Sequence, residues 1–256
     1  MIRWVPMRHA LSCAGALLFL ALPARAQRPA GWPSGTLVQA TPHNLTVPAA
    51  STAPVMTGRV RHWGEVCVYC HTPHGGPDWS GAPRPPLVNR TRPNAAYRMP
   101  QHGAQQMLQD PSPSNQSRVC LSCHDGSIAL DNIVNRPQPT NALTPLNETI
   151  DRCESCHKGG NPAGGLDWEG VWFNPDMRDQ HPFSVVYDPS RRPGQFKPAS
   201  GGTVGGLPLF SGRVECPTCH EPHTEQFRYF LRQSNVGNSL CLACHNSVPA
   251  DPVHAQ

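Results

Sequence analysis

Beyond residue 26 the chain has no apolar run of bilayer length, almost no lysine and no unpaired cysteine. Each scarcity excludes something. A membrane-spanning helix needs about 20 consecutive apolar residues, and the apolar run Cys13–Leu22 is too short. It lies between a basic start (Arg3, Arg8) and Ala24-Arg25-Ala26, a cleavage signal before Gln27. That is the layout of a secretory presequence, so residues 1–26 are expected to be removed. The remainder is expected to be exported, periplasmic or extracellular, with no membrane span. Cys13 precedes the apolar run instead of following it, which argues against a lipid anchor there.

Lysine occurs only at Lys158 and Lys197; the other cations are arginines. Removing Arg3, Arg8 and Arg25 from the 21 basic residues leaves 18 against 17 acidic ones, a net of +1. A chain so balanced has no electrostatic footprint for nucleic acid. Long aliphatic stretches are also scarce, while Pro and Gly number 30 and 22. On its own such a composition buries too little apolar surface to offset the entropy of ordering. Something other than side chains must supply the core.

What is present is cysteine in a fixed setting. Ten of eleven cysteines form Cys-x-x-Cys pairs, each followed directly by histidine. The motifs are Cys67–Cys70–His71, Cys120–Cys123–His124, Cys153–Cys156–His157, Cys216–Cys219–His220 and Cys241–Cys244–His245. Disulfide frameworks, zinc ribbons and redox dithiols do not require that histidine. Covalent c-type haem attachment does: two thiols bond the porphyrin and the histidine ligates iron. Five haems on 230 residues leave about 46 residues each. The expected fold is a multihaem cytochrome c, mostly irregular, with short α-helices around the motifs, little β-sheet and haems forming the core. Propionates shift the holoprotein toward neutral or acidic charge. Arg92, Arg118, Arg152, Arg213 and Arg232 are candidate partners for them, since a guanidinium fork suits carboxylates.

The second axial ligand decides what each iron does: a closed iron carries electrons, an open one binds or transforms ligands. Besides the five motif histidines, the chain after residue 26 has His43, His62, His74, His102, His181, His223 and His254. His74 and His223 each lie three residues beyond a motif histidine, in Cys-x-x-Cys-His-x-Pro-His. Three residues reach only ~10 Å when extended, too short to pass round a porphyrin rim. Each is therefore placed to ligate an adjacent haem, making the segment a clamp between two haems.

The expected organisation is a presequence (1–26), an extended arm (27–60), a module for haems 1 and 2 (61–136), a haem 3 insertion and linker (137–211), and a module for haems 4 and 5 (212–256). A short extended segment is expected at 180–187, a Pro/Gly linker at 188–211 and a short helix at 226–233. The sequons at Asn44, Asn89, Asn115 and Asn147 read as chance in a chain so rich in Asn, Ser and Thr.

The chain resembles the doubled-CXXCH multihaem c-type cytochromes. The resemblance rests on Pro42–Leu45, Val66–Gly75, Cys120–Gly126, His181–Ser184, Glu215–His223 and Leu240–His245. It implies a tetrahaem core with four bis-His irons, the distal ligands matching His43, His74, His181 and His223. Some relatives form extracellular filaments in which an N-terminal histidine ligates a haem of the next subunit, a role His43 could fill. Haem 3 departs from that pattern, leaving His62, His102, Met177 or an open face as its distal side; His254 reads as a bystander. The expected activity is electron transfer with redox proteins or extracellular acceptors as partners. A filament subunit, or a reductase with an open haem 3, are the alternatives.

Overall fold

The computed structural model describes residues 37–46, 63–80, 87–100, 107–137, 149 and 172–248. Calls on the presequence, His62, His102, Arg152, the haem 3 motif (Cys153, Cys156, His157) and His254 lie outside them. Most of the described chain is irregular, with three α-helices, several 3₁₀ turns and five two-residue strands.

Helix α1 (Asn115–His124) is the longest. The Ser114 hydroxyl accepts from Gln116 N at its start, the usual capping arrangement. Gly126, at φ +73°, turns the chain away just after its end. Helices α2 (Cys216–Cys219) and α3 (Cys241–Cys244) are single turns. Pro217 suits the first turn of α2, where no amide hydrogen is needed. The short helix expected over 226–233 reduces to the 3₁₀ turn Arg228–Phe230. Tyr229 and Phe230 there have φ of +62° and +59°, a conformation that cannot continue a right-handed helix.

Strands β1 (Leu108–Gln109), β2 (Val185–Val186) and β5 (Arg213–Val214) form an antiparallel sheet in the order β1-β2-β5. Leu108 pairs with Val186, and Val185 with Val214. The sheet thus joins segments from before the third motif, after it, and beside the fourth. Strands β3 (Thr203–Val204) and β4 (Leu207–Pro208) form a hairpin. The expectation of a linker over 188–211 needs correcting, because this stretch is folded. Gly205 and Gly206 sit at φ +54° and +86°, matching the two positive φ values of a tight type I′ turn. Val204, Phe196 and Leu209 then pack against Val185, Tyr187 and Val214.

The aliphatic cores are small. One comprises Trp63, Tyr69, Leu130 and Ile133, with Val68 and Cys123 against it; the other surrounds Val185 and Tyr187. Between the first and second motifs the dominant element is a cation. Arg90, 1% exposed, donates to Ser122 O and Oγ, Ala129 O, Leu130 O and Asn132 O at 2.7–3.3 Å. Its fork ties the loop after His124 to the segment that also bonds Cys70 through Asn89 N at 2.8 Å. Asn89 and Asn115 are buried and hydrogen-bonded, so neither sequon presents a free amide. No described helix is long and apolar enough to cross a membrane.

Candidate haem sites

Residues i, i+3 and i+4 share one side of a helical turn. The spacing Cys-x-x-Cys-His therefore sends two thiols and an imidazole the same way whenever the turn is helical. Cys120, Cys123 and His124 lie at the end of α1. Cys67 lies within the 3₁₀ turn Val66–Tyr69 and Cys70 caps its end. Backbone bonds His71 N→Cys67 O (2.8 Å), His220 N→Cys216 O (3.1 Å) and His245 N→Cys241 O (2.9 Å) close the other turns. Each of these three histidines leaves its turn in a bridge to an extended neighbour: His71 to Val88, His220 to Leu231 and His245 to Phe196. The described cysteines are unpaired by disulfides. Burial pushes the thiols of Cys219 and Cys244 up, to about 12 and about 11, while a hydrogen bond with Cys120 lowers that of Cys216.

Histidines from distant parts of the chain meet these turns. His43 lies with its ring centre 6.2 Å from that of His124, His223 lies 6.1 Å from His71, and His181 lies 6.3 Å from His245. Two imidazoles bound to opposite sides of one metal ion through ~2.0–2.1 Å bonds have ring centres about 6 Å apart. The interplanar angles are 76°, 15° and 90°, all compatible because each ring turns freely about the metal–nitrogen axis. The residues therefore fit bis-His haem: thiols and one imidazole on a turn, a second imidazole at the opposing distance.

The outer nitrogens support the same fit. A metal-bound imidazole characteristically donates its other N–H to a carbonyl or carboxylate. Nδ1 of His43 meets Pro222 O at 3.1 Å, that of His181 meets Pro182 O at 2.9 Å, and that of His220 meets Tyr229 O at 2.8 Å. Nδ1 of His223 meets Glu221 Oε1 at 2.7 Å. Each of these contacts uses Nδ1, the ring nitrogen opposite to Nε2. Burial, reinforced by His124, lowers His43 to about 4, and burial also lowers His220 and His245. The His43 ring is therefore neutral at physiological pH, the form that ligates.

His74 is exposed, and no ring contact joins it to His220 among the described residues. Met177, a candidate for haem 3, is buried, with its amide donating to Arg98 O at 2.8 Å. The four described arginines proposed for propionates each meet a protein acceptor: Arg92 meets Asn115, Arg118 meets Pro93 and Pro113, Arg213 meets Asp110 and Arg232 meets Glu221. Three positioning residues escaped the sequence reading. Phe230 stacks on His43 at 4.4 Å. Buried Glu215 accepts from Ser117 and Ser184 at 2.6 and 2.8 Å, joining α1 to α2. Glu221 holds His223. Only Glu221 carried a visible signal, its place inside the clamp motif.

A comparison with protein families matches residues 208–250 to the doubled CXXCH motif. Residues 208–250 are a doubled CXXCH segment. The match takes in α2, α3 and both of their histidines. The doubled CXXCH motif indicates covalently bound c-type haem and points to multihaem cytochromes of electron transfer. No curated protein matches the chain.

Proposed function

We propose that this chain is an exported pentahaem c-type cytochrome that passes electrons along closely spaced bis-His haems to redox proteins or extracellular acceptors. The observation that carries the reading is the set of three histidine pairs at 6.1–6.3 Å, each joining a motif histidine to a remote one. Cys67, Cys70, Cys120, Cys123, Cys216, Cys219, Cys241 and Cys244 would hold four haems, with Cys153 and Cys156 holding a fifth. His71–His223, His124–His43 and His245–His181 would be the axial pairs, and His74 is assigned to His220 as the remaining clamp histidine. The haem supplies reversible one-electron chemistry. The chain's contribution would be to supply two imidazoles to each iron and to bring attachment turns together.

Spacing supports the electron-transfer reading. Val68 and Cys123, from the first two turns, pack on one apolar cluster. Cys216 N bonds Ser117 Oγ of α1 at 3.1 Å, bringing the second and fourth turns together. The cis contact of His43 with His124 favours ligation within one chain over ligation of a neighbouring subunit. Oxidised holoprotein, studied by EPR and resonance Raman, should be dominated by low-spin six-coordinate iron. His43→Ala and His181→Ala should each turn one haem high-spin in the monomer. Mainly high-spin iron in the wild type, or a monomeric His43→Ala protein with every haem still low-spin, would refute the assignment.

A further inference from the structure

Between the motif histidine and the clamp histidine the two segments differ at one position, Thr72 in the first and Glu221 in the second. In the second clamp the Glu221 carboxylate accepts from Nδ1 of His223 at 2.7 Å and from its backbone N at 3.3 Å. Arg232 holds that carboxylate, donating from Nη1 at 2.7 Å. The same guanidinium donates from Nε to Pro217 O at 2.7 Å, so Glu221 is pinned against α2. In the first clamp the Thr72 hydroxyl instead donates to His74 O at 2.7 Å, and Asn135 Nδ2 bonds both Thr72 Oγ1 and His74 O. Among the described residues no carboxylate meets the His74 ring.

An imidazole that gives its outer N–H to a carboxylate is a more basic ligand than one without such a partner. A more basic ligand favours ferric over ferrous iron, and hydrogen bonding around the ligands is among the levers that set haem potentials. His223 faces His71 of the first turn, and on the assignment above His74 would fall to the fourth. We propose that Glu221 is a positioning residue that lowers the reduction potential of haem 1 below that of haem 4 by polarising His223, an inference that rests on the axial pairing given above. Arg232 moderates the effect, because it draws charge from the carboxylate that His223 would otherwise receive. Equivalent sites in a near-repeat thus acquire a potential step, with haem 4 the stronger electron acceptor of the two.

The test is a spectroelectrochemical titration of the holoprotein in wild-type, Glu221→Gln, Glu221→Thr and Arg232→Gln forms, with EPR on each oxidised sample. His223→Met marks the haem 1 component, since a thioether ligand raises the potential. Glu221→Gln and Glu221→Thr should raise that marked component more than any other, with the iron still low-spin. Each tenfold loss of ferric preference reads as about 59 mV for one electron. Arg232→Gln should move the same component down, an opposite sign that mere loosening of the fold would not produce. If all haems stay low-spin and no potential moves, or the shift is spread equally over the components, the Glu221 proposal is overturned and the pairing survives. If His223→Met leaves every component unmoved, the pairing fails and the proposal with it.

Discussion

Replacing Arg90 probes how much of this fold depends on one buried cation. Its five hydrogen bonds end on four carbonyls and one hydroxyl of residues 122–132, all in a region where Ile133 and Leu130 are also buried. Arg90→Met keeps much of the apolar volume and removes every donor. At about 1 kcal/mol or more for each acceptor left unsatisfied, the loss comes to roughly 4–5 kcal/mol. That is a large share of the roughly 5–15 kcal/mol that holds a typical domain folded. Arg90→Lys has three donors on one nitrogen and cannot span the fork, so it should lose about half as much. Guanidinium denaturation of the holoprotein, followed by Soret absorbance and tryptophan fluorescence, gives the ordering wild type, Lys, Met. An Arg90→Met protein within about 1 kcal/mol of wild type would show that the carbonyls find water or other donors, and the reasoning would be wrong.

Three further substitutions test other parts of the structure. A Cβ at Gly205 would lie 2.3 Å from Ala243 O, with φ at +54°, so Gly205→Ala should cost about 2–4 kcal/mol through overpacking and left-handed strain. Gly206→Ala meets nothing within 4 Å and should cost about 1–2 kcal/mol; equal losses in thermal unfolding would contradict the close approach to α3. Burial raises the Glu215 carboxyl above its usual 4.5 against the pull of the Ser117 and Ser184 hydroxyls. A raised folded value means that its contribution is fully present below the unfolded pKa and is lost as pH rises through the folded one. Glu215→Gln should therefore gain on the wild type as pH rises from the ordinary carboxyl range through the raised folded value; a constant gap in denaturation midpoint across that rise would exclude the mechanism.

The attachment chemistry was legible because it is local. Cys-x-x-Cys-His puts its three groups on one side of a turn wherever the turn forms, and the reach limit at His74 and His223 needs only bond lengths. The pairing of His223 with His71 was not legible in detail, since nothing between residues 74 and 216 encodes which two turns will meet. The hairpin over 203–208 was hidden for a different reason. Two-residue strands carry no alternation, and a Gly-Gly pair reads equally as a linker or as a type I′ turn. Arg90 escaped because a buried arginine looks like a surface one until five acceptors converge on it. The small aliphatic clusters around Trp63 and Val185 agree with a composition poor in apolar runs.

The hydrogen bond from His43 to Pro222 spans 179 residues of sequence. During synthesis, the ring that faces His124 acquires its hydrogen-bond acceptor only when the far end of the chain arrives. Loops of this length close slowly, since ordering entropy must be spent before the contact rewards it. The second site is consequently among the last to mature, although its attachment motif emerges early. A chain truncated before residue 222 would carry thiols ready for attachment at that motif while lacking the latch for its upper ligand. Such a partly closed intermediate is the species that cellular quality control would meet.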